Sequence, residues 1–306
     1  MTTTGSGNDD GKRERAIAYM LLVVLATVWG SAYGLVKIGV ATIPPMTFAA
    51  VRIAIAATTL WLVLGLRGVR LPRDIATWKV FLIQGTLGSI VPFTLLAWGQ
   101  RTVDASLATI LNSTSPIFAF LLMAVIGGQD RPNARHLLGV VAGLGGVSLI
   151  VGAEALSGLG RDFAGQIAIV LASVAYGGAA VYGRRFRALD PMVTATGALL
   201  AAAAASLPVA LIVERPWTAS PSMASVAALV GAAVFSTAVG FAIYFRILAT
   251  LGPVGTTAQA YLRVPVGVAV GVFLLGETLA PSALAGLVFV VFGVWAMTGA
   301  ARAGKG

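Results

Sequence analysis

Apolar residues in this chain neither alternate with a period of two nor keep to one narrow helical stripe. They run in long stretches broken by short charged or Pro/Gly/Ser-marked segments. About 20 consecutive apolar residues are what a helix needs to cross a hydrocarbon core, and the breaks cut the chain into ten such lengths. These lie at roughly 16–36, 46–66, 77–98, 104–126, 135–153, 163–183, 191–213, 223–246, 254–275 and 281–301. The breaks between them leave no room for an extramembrane domain. The pattern predicts an all-α integral membrane protein with ten transmembrane helices, preceded by a disordered cytoplasmic tail over 1–14. The basic tail and the apolar run after it resemble a secretory signal. The run is longer than a signal's apolar core, however, and nine more spans follow it, so it reads as a retained first span.

Composition sharpens this reading. Hydrophobic residues make up 58% of the 306 and charged residues 10%, against about one-quarter charged in soluble domains. With a mean hydropathy of +0.92 there is too little polar surface to cover a water-soluble globule. The chain has no cysteine and a single histidine, His136, which removes disulfides, thiolate metal sites and His pairs; no metal and no cofactor is expected. The net charge of +10 would suit nucleic acid, but its distribution argues for a membrane. With the N-terminus inside, only Lys37, Arg101, Arg161 and Arg215 fall on the outer side, Arg52 and Arg263 fall within spans, and the other fifteen basic residues are cytoplasmic. That is the positive-inside bias. The lipid bilayer is the partner, nucleic acid is not, and both termini are expected in the cytoplasm.

Sliding the chain on itself by 147 positions superposes two halves. Trp29-Gly30 falls on Tyr176-Gly177, Lys37 on Arg184, Pro44 on Pro191, Trp98 on Phe245, Gly139 on Gly286 and Gly146-Val147 on Gly293-Val294, and with a two-residue gap Pro116 finds Pro265. The halves, 15–153 and 154–306, read as two copies of a five-helix unit. Five crossings is an odd number, so the second copy enters the membrane from the opposite side. Inverted repeats of this kind build alternating-access carriers, with the substrate site near the midplane between the repeats.

The residues at these landmarks carry a resemblance. Trp29-Gly30-Ser31 running to Lys37, then Pro44, Arg52, Asn112 to Pro116 and the glycines from Gly139 to Val147 resemble one EamA unit. Pro265, Gly276-Glu277 and Gly286 to Val294 resemble a second. The chain is thus similar to the ten-helix EamA branch of the drug/metabolite transporter superfamily. Two departures stand out: Gly128-Gln129-Asp130-Arg131 occupies the place of the first copy's Gly-Glu turn, and Leu199 falls where a second Arg52 would. The resemblance implies export of small metabolites, amino acids often among them, across the plasma (inner) membrane of a bacterium by a monomer or homodimer.

An arginine deep in a bilayer is costly and functional by default. Arg52 and Arg263 have no Asp or Glu deep in any span to pair with. An unpaired guanidinium suits a substrate carboxylate or phosphate, which it grips with two parallel bonds; a lock on backbone carbonyls freed by a kinked neighbour is the alternative. Pro116 and Pro265 are expected to kink their helices, beside the polar residues Asn112 to Ser115 and Gln259, Tyr261 and Arg263. Trp29 and Tyr176, deep and repeat-related, complete a candidate substrate site of Trp29, Arg52, Asn112, Tyr176, Gln259, Tyr261 and Arg263. Trp98, Tyr182 and Tyr244, near span ends, read as interfacial aromatics, and Gln84 as a weaker pore candidate. Gly139 with Gly143, and Gly267 with Gly271, read as small-residue pairs for close helix packing.

The expected function is a secondary exporter of small amphipathic metabolites, amino acids first, with no catalytic residues. An organic-anion exchanger of sugar-phosphate or nucleotide-sugar type is the alternative, since two cations facing one chamber could serve it. An intramembrane enzyme is remote, because His136 has neither an acid nor a serine motif beside it.

Overall fold

The computed structural model describes residues 6–126, 134–156, 160–186, 189–244, 246–247, 250 and 259–303, and every regular element among them is helical. Helix α1 (Ser6–Gly39) begins inside the stretch that hydropathy alone reads as a tail. Helix α2 (Pro45–Leu66) has proline at its first position, where no N–H is needed. It closes on Gly68 at φ 68°, with Val69 N donating back to Leu64 O at 3.1 Å. The third span is α3 (Ile75–Gly85), a π-helical turn over Thr86–Ile90, and α4 (Val91–Gly99). The fourth is α5 (Ala105–Asn112) and α6 (Ser115–Ile126). Then come α7 (Ala134–Leu156), α8 (Gly160–Tyr182), α9 (Pro191–Glu214) and α10 (Met223–Gly231), the last running on as a π-helix over Ala232–Val239. Helix α11 (Gln259–Ala269), a π turn over Val270–Leu274, and α12 (Pro281–Ala303) complete the order.

Seven of these helical stretches are long and apolar enough to cross a membrane: Ala16–Gly39, Pro45–Leu66, Ile75–Gly99, Ala105–Val125, Asp162–Phe186, Pro191–Glu214 and Met223–Tyr244. Three shorter apolar helices, Leu137–Ile150, Leu262–Leu274 and Pro281–Gly293, coincide with the fifth, ninth and tenth expected spans. Burial follows the logic of a lipid solvent. Large apolar side chains such as Met20, Trp61, Ile212, Phe273 and Val288 point outward, whereas Gln100, Ser106, Thr109, Asn112, Ser173 and Thr237 are buried.

Small residues set the helix pairings. Gly30 and Gly34 bring α1 against α11 at Arg263, Val266 and Val270, so these two helices run side by side in the same direction. On the same α11 face Gly267 meets Thr109, and Gly271 meets Ser106 and Glu277. Helices α7 and α12 share a glycine seam in which a Cβ on Gly293 would lie 2.7 Å from Gly143 N and close to Gly139 O. Helix α2 packs its alanines against α9, and α8 lies against α4, α5 and α6.

The two prolines expected to kink their helices lie differently with respect to helix breaks. The break in the fourth span falls at Ser113-Thr114, so Pro116 is the second residue of a new helix, a position that needs no donor. Pro265 lies inside an unbroken α11, and the irregular turn comes after it, at Val270–Leu274.

Candidate functional site

Arg52 in α2 is 8% exposed. Its Nε donates to Thr237 Oγ1 at 3.0 Å, and its guanidinium carbon sits 4.2 Å from the centroid of the Phe93 ring. Thr237 is available because the π-helix lets its hydroxyl donate five residues back, to Ala232 O at 3.0 Å. Among the described residues no acceptor meets the two Nη groups of Arg52. Arg263 in α11 is less satisfied still, with its Nε buried and unpartnered. Tyr176 of α8 lies within electrostatic reach of Arg52, Arg263 and Tyr33. It is half-buried where two apolar clusters meet. Two cations and two phenols from four spans are thus linked electrostatically across the halves of the chain, and among the described residues no ion pair joins either arginine to a carboxylate.

Other expected residues are placed differently. Asn112 is 2% exposed; its Nδ2 donates to the Tyr33 hydroxyl and its Oδ1 accepts from Ser173 Oγ at 3.0 Å. It thus orients Tyr33, whose own O–H stays available as a donor. Trp29 donates Nε1–H to Ser236 O at 2.8 Å, stacks on Tyr244 at 5.7 Å and meets Phe241 edge-on. Its polar edge is spent on fastening α1 to the π-helix. Tyr244, read from sequence as interfacial, is that stacking partner. The side chains of Gln259 and Tyr261 lie outside the described residues. Gln84 has a buried Oε1 with no partner and faces Gly88 and Gly183, away from the arginines.

Sequence reasoning passed over Thr237, Ser236 and Phe93. A signal existed for the first two, because Ser236-Thr237 is a polar pair in the middle of an apolar span. Nothing in the sequence joins it to Trp29 and Arg52, 207 and 185 residues away.

Two cavities open at the ends of the helices. One of about 430 Å³ is lined by Trp61, Leu64, Gly65, Val69, Arg70, Leu71 and Arg73. A smaller one of about 130 Å³ lies between α1 and the end of the eighth span, among Glu14, Ile17, Ala18, Arg246 and Thr250. Neither touches the arginines.

Comparison with known proteins bears on the family and the fold. The profile of the EamA-like transporter family matches twice, over residues 16–152 and 163–299, two starts separated by the same 147 residues that superpose the halves. The chain is 28% identical over 277 residues to the inner membrane transporter YedA of Escherichia coli K12, itself uncharacterized, covering 90% of this chain and 89% of that one. It is 27% identical over 284 residues to a probable terminal-alkyne amino-acid exporter of Streptantibioticus cattleyicolor, covering 90% and 92%. A solved crystal structure at 20% identity superposes with a TM-score of 0.64, over 95% of this chain and 99% of that one, which is a likeness of fold.

Proposed function

The chain belongs to the EamA-like transporter family, and on that premise we propose that it is a ten-span secondary transporter that exports small carboxylate-bearing metabolites, amino acids first, by alternating access between two inverted five-helix repeats. One observation carries the reading: Arg52 of the first repeat and Arg263 of the second each keep guanidinium donors unmet among the described residues, Arg52 bonding only through Nε and Arg263 leaving its buried Nε without a partner. An unpaired charge in a low-dielectric interior costs several kcal/mol. An anionic group arriving from water offsets that cost, whereas an ammonium group arriving alone adds to it. Tyr176 and Tyr33 would donate to the same carboxylate, and Gln259 and Tyr261 on α11 would hold the remainder of the solute. Trp29 and Asn112 support the site from behind, through the π-helix and through Tyr33. The amino-acid exporter among the relatives supports the choice of amino acids.

Purified protein in liposomes loaded with an amino-acid mixture tests this directly. Arg263→Ala should abolish efflux while the protein stays monodisperse in detergent. Arg263→Lys should restore only part of it, because an ammonium loses the planar fork. Parental efflux in Arg263→Ala would leave the arginine a helix lock and end the carboxylate reading. The presence of two cations rather than one favours a second reading, an organic-anion exchanger. Liposomes loaded with sugar phosphates separate the two.

A further inference from the structure

The two faces of the helix bundle are tied together in different ways. At the end carrying the 40–44 turn, α2 begins after Pro44, which offers no side chain to cap the first N–H groups. Glu214, at the end of α9 in the other repeat, takes that place: Met46 N donates to its Oε1 at 3.0 Å, and Thr47 N and Oγ1 donate to its Oε2 at 2.6 and 2.8 Å. Helix α5 repeats the device. Asp104 occupies its cap position without capping it, being held instead by Lys37 at 3.5 Å. Glu277 comes from the other repeat, behind Gly276 at φ 70°, and accepts from Ala105 N at 2.7 Å, Ser106 N at 2.9 Å and Ser106 Oγ at 2.7 Å. Two weaker ties close the same end, Ser222 N to Thr42 Oγ1 at 3.0 Å and Ser225 Oγ to Ile38 O at 2.8 Å.

The opposite end uses local caps. Asp74 accepts from Thr77 N at 2.7 Å and Asp190 from Met192 N at 2.7 Å, each within its own helix. At that end Arg67 Nη1 donates to the Met192 sulfur at 3.5 Å across the repeat boundary, and the cavity between α1 and the eighth span opens there. One face is thus fastened across the repeat boundary by charged hydrogen bonds, whereas the other is held mainly by apolar contact, with Phe81 stacked on Phe186 at 5.7 Å and Leu22 and Leu25 packed with Ile247.

We infer that Glu214 and Glu277 are the latches of the outer gate, the residues that hold the extracellular ends of the two repeats together in the inward-facing half of the transport cycle. The inference rests on the alternating-access reading above. Both oxygens of each carboxylate are engaged, so glutamine is a sharp test: its amide nitrogen must face a backbone N–H or a hydroxyl. Each latch also places a negative charge at a helix N-terminus of the opposite repeat, a favourable contact that exists only while the face is closed.

The chain is naturally free of cysteine, so single cysteines report accessibility without background. Ser225→Cys sits in the closed seam at 1% exposure, and Val193→Cys at the other end is 6% exposed. In intact cells, a membrane-impermeant thiol reagent should label Ser225→Cys slowly in the parent. In Glu214→Gln or Glu277→Gln it should do so roughly tenfold faster, the change expected for losing one charge-assisted hydrogen bond. Glu→Asp at either position should fall between parent and glutamine. Labelling of Val193→Cys in inside-out vesicles should not rise. Unchanged labelling of Ser225→Cys in both glutamine variants overturns the inference, and so does an equal rise at both reporters, which is general loosening rather than a gate. Because labelling does not depend on the solute, Arg263→Ala at parental rate would remove the substrate reading and leave the latches standing.

Discussion

At the scale of single residues, charge placement decides more than charge count. Among the described residues no carboxylate pairs with Arg52 or Arg263, whereas Asp104 sits in a crowd at the end of the bundle that carries the 40–44 turn. Burial first, and then Glu277, push the Asp104 carboxyl above its ordinary 3.8, while Lys37 pulls the other way and loses. The folded chain therefore holds this proton more tightly than the unfolded chain does. The stability tied to it is complete below 3.8 and is lost as pH rises through the raised value. Asp104→Asn keeps the Lys37 Nζ bond to Val103 O at 2.8 Å and relieves the repulsion by Glu277. It should be at least as thermally stable as the parent at neutral pH, with a flatter dependence from mildly acidic to neutral conditions. A fall in melting temperature at neutral pH would mean that the Lys37 attraction outweighs burial and Glu277 together.

At the scale of elements, the irregular turns and the glycine seams are two answers to the same solvent. Without water between helices, association depends on close packing and on a few hydrogen bonds. The π-helix over Ala232–Val239 offers Ser236 O and Thr237 Oγ1 to Trp29 and Arg52, so a departure from regular winding becomes the contact between the eighth span and the first two. The α7–α12 pair uses contact alone. A methyl group on Gly293 would press on Gly139 O and on Gly143 backbone atoms, which cannot swing aside. Gly293→Ala should therefore destabilise the detergent-solubilised protein by about 1–3 kcal/mol, the usual cost of overpacking. Gly145→Ala, with nothing within 4 Å, should be neutral or better because alanine is the stronger helix former. Equal melting temperatures for the two variants would contradict this account of the seam.

At the scale of the whole molecule, the repeats are alike in outline and unequal in chemistry. The position of Arg52 is taken in the second half by Leu199, 2% exposed in the α2–α9 core, so one unit brings its cation on its second helix and the other on its fourth. Both latches lie on second-repeat helix ends and reach first-repeat helix starts. Inverted topology makes a direct prediction about equivalent turns. Cysteines at Thr42 and at Leu189, 147 residues further on, should react with an impermeant reagent from opposite sides, Thr42 from outside intact cells and Leu189 only in inside-out vesicles. Labelling of both from one side would rule out the inversion.

Hydropathy alone placed an apolar helix at every site where one is found, because a lipid-facing helix must be apolar around most of its surface and about 20 residues long. The repeat and the two deep arginines were legible for related reasons: a fixed spacing survives divergence, and a charge inside an apolar run is visible without knowing its neighbours. The bonds of Arg52 to Thr237, of Trp29 to Ser236, and of Asn112 to Tyr33 and Ser173 were not legible, since each joins residues 61 to 207 positions apart. That the break beside Pro116 falls at Ser113-Thr114 was not legible either, because the stretches on both sides of it are apolar. The amino-acid sequence by itself determined the solvent, the number of apolar runs and the charges that cannot be left unmet. Only the tertiary structure decided which polar groups meet those charges and which carboxylates cross between the halves. Partition into lipid depends on the composition of a segment, whereas a hydrogen bond between repeats requires two distant atoms to come within about 3 Å.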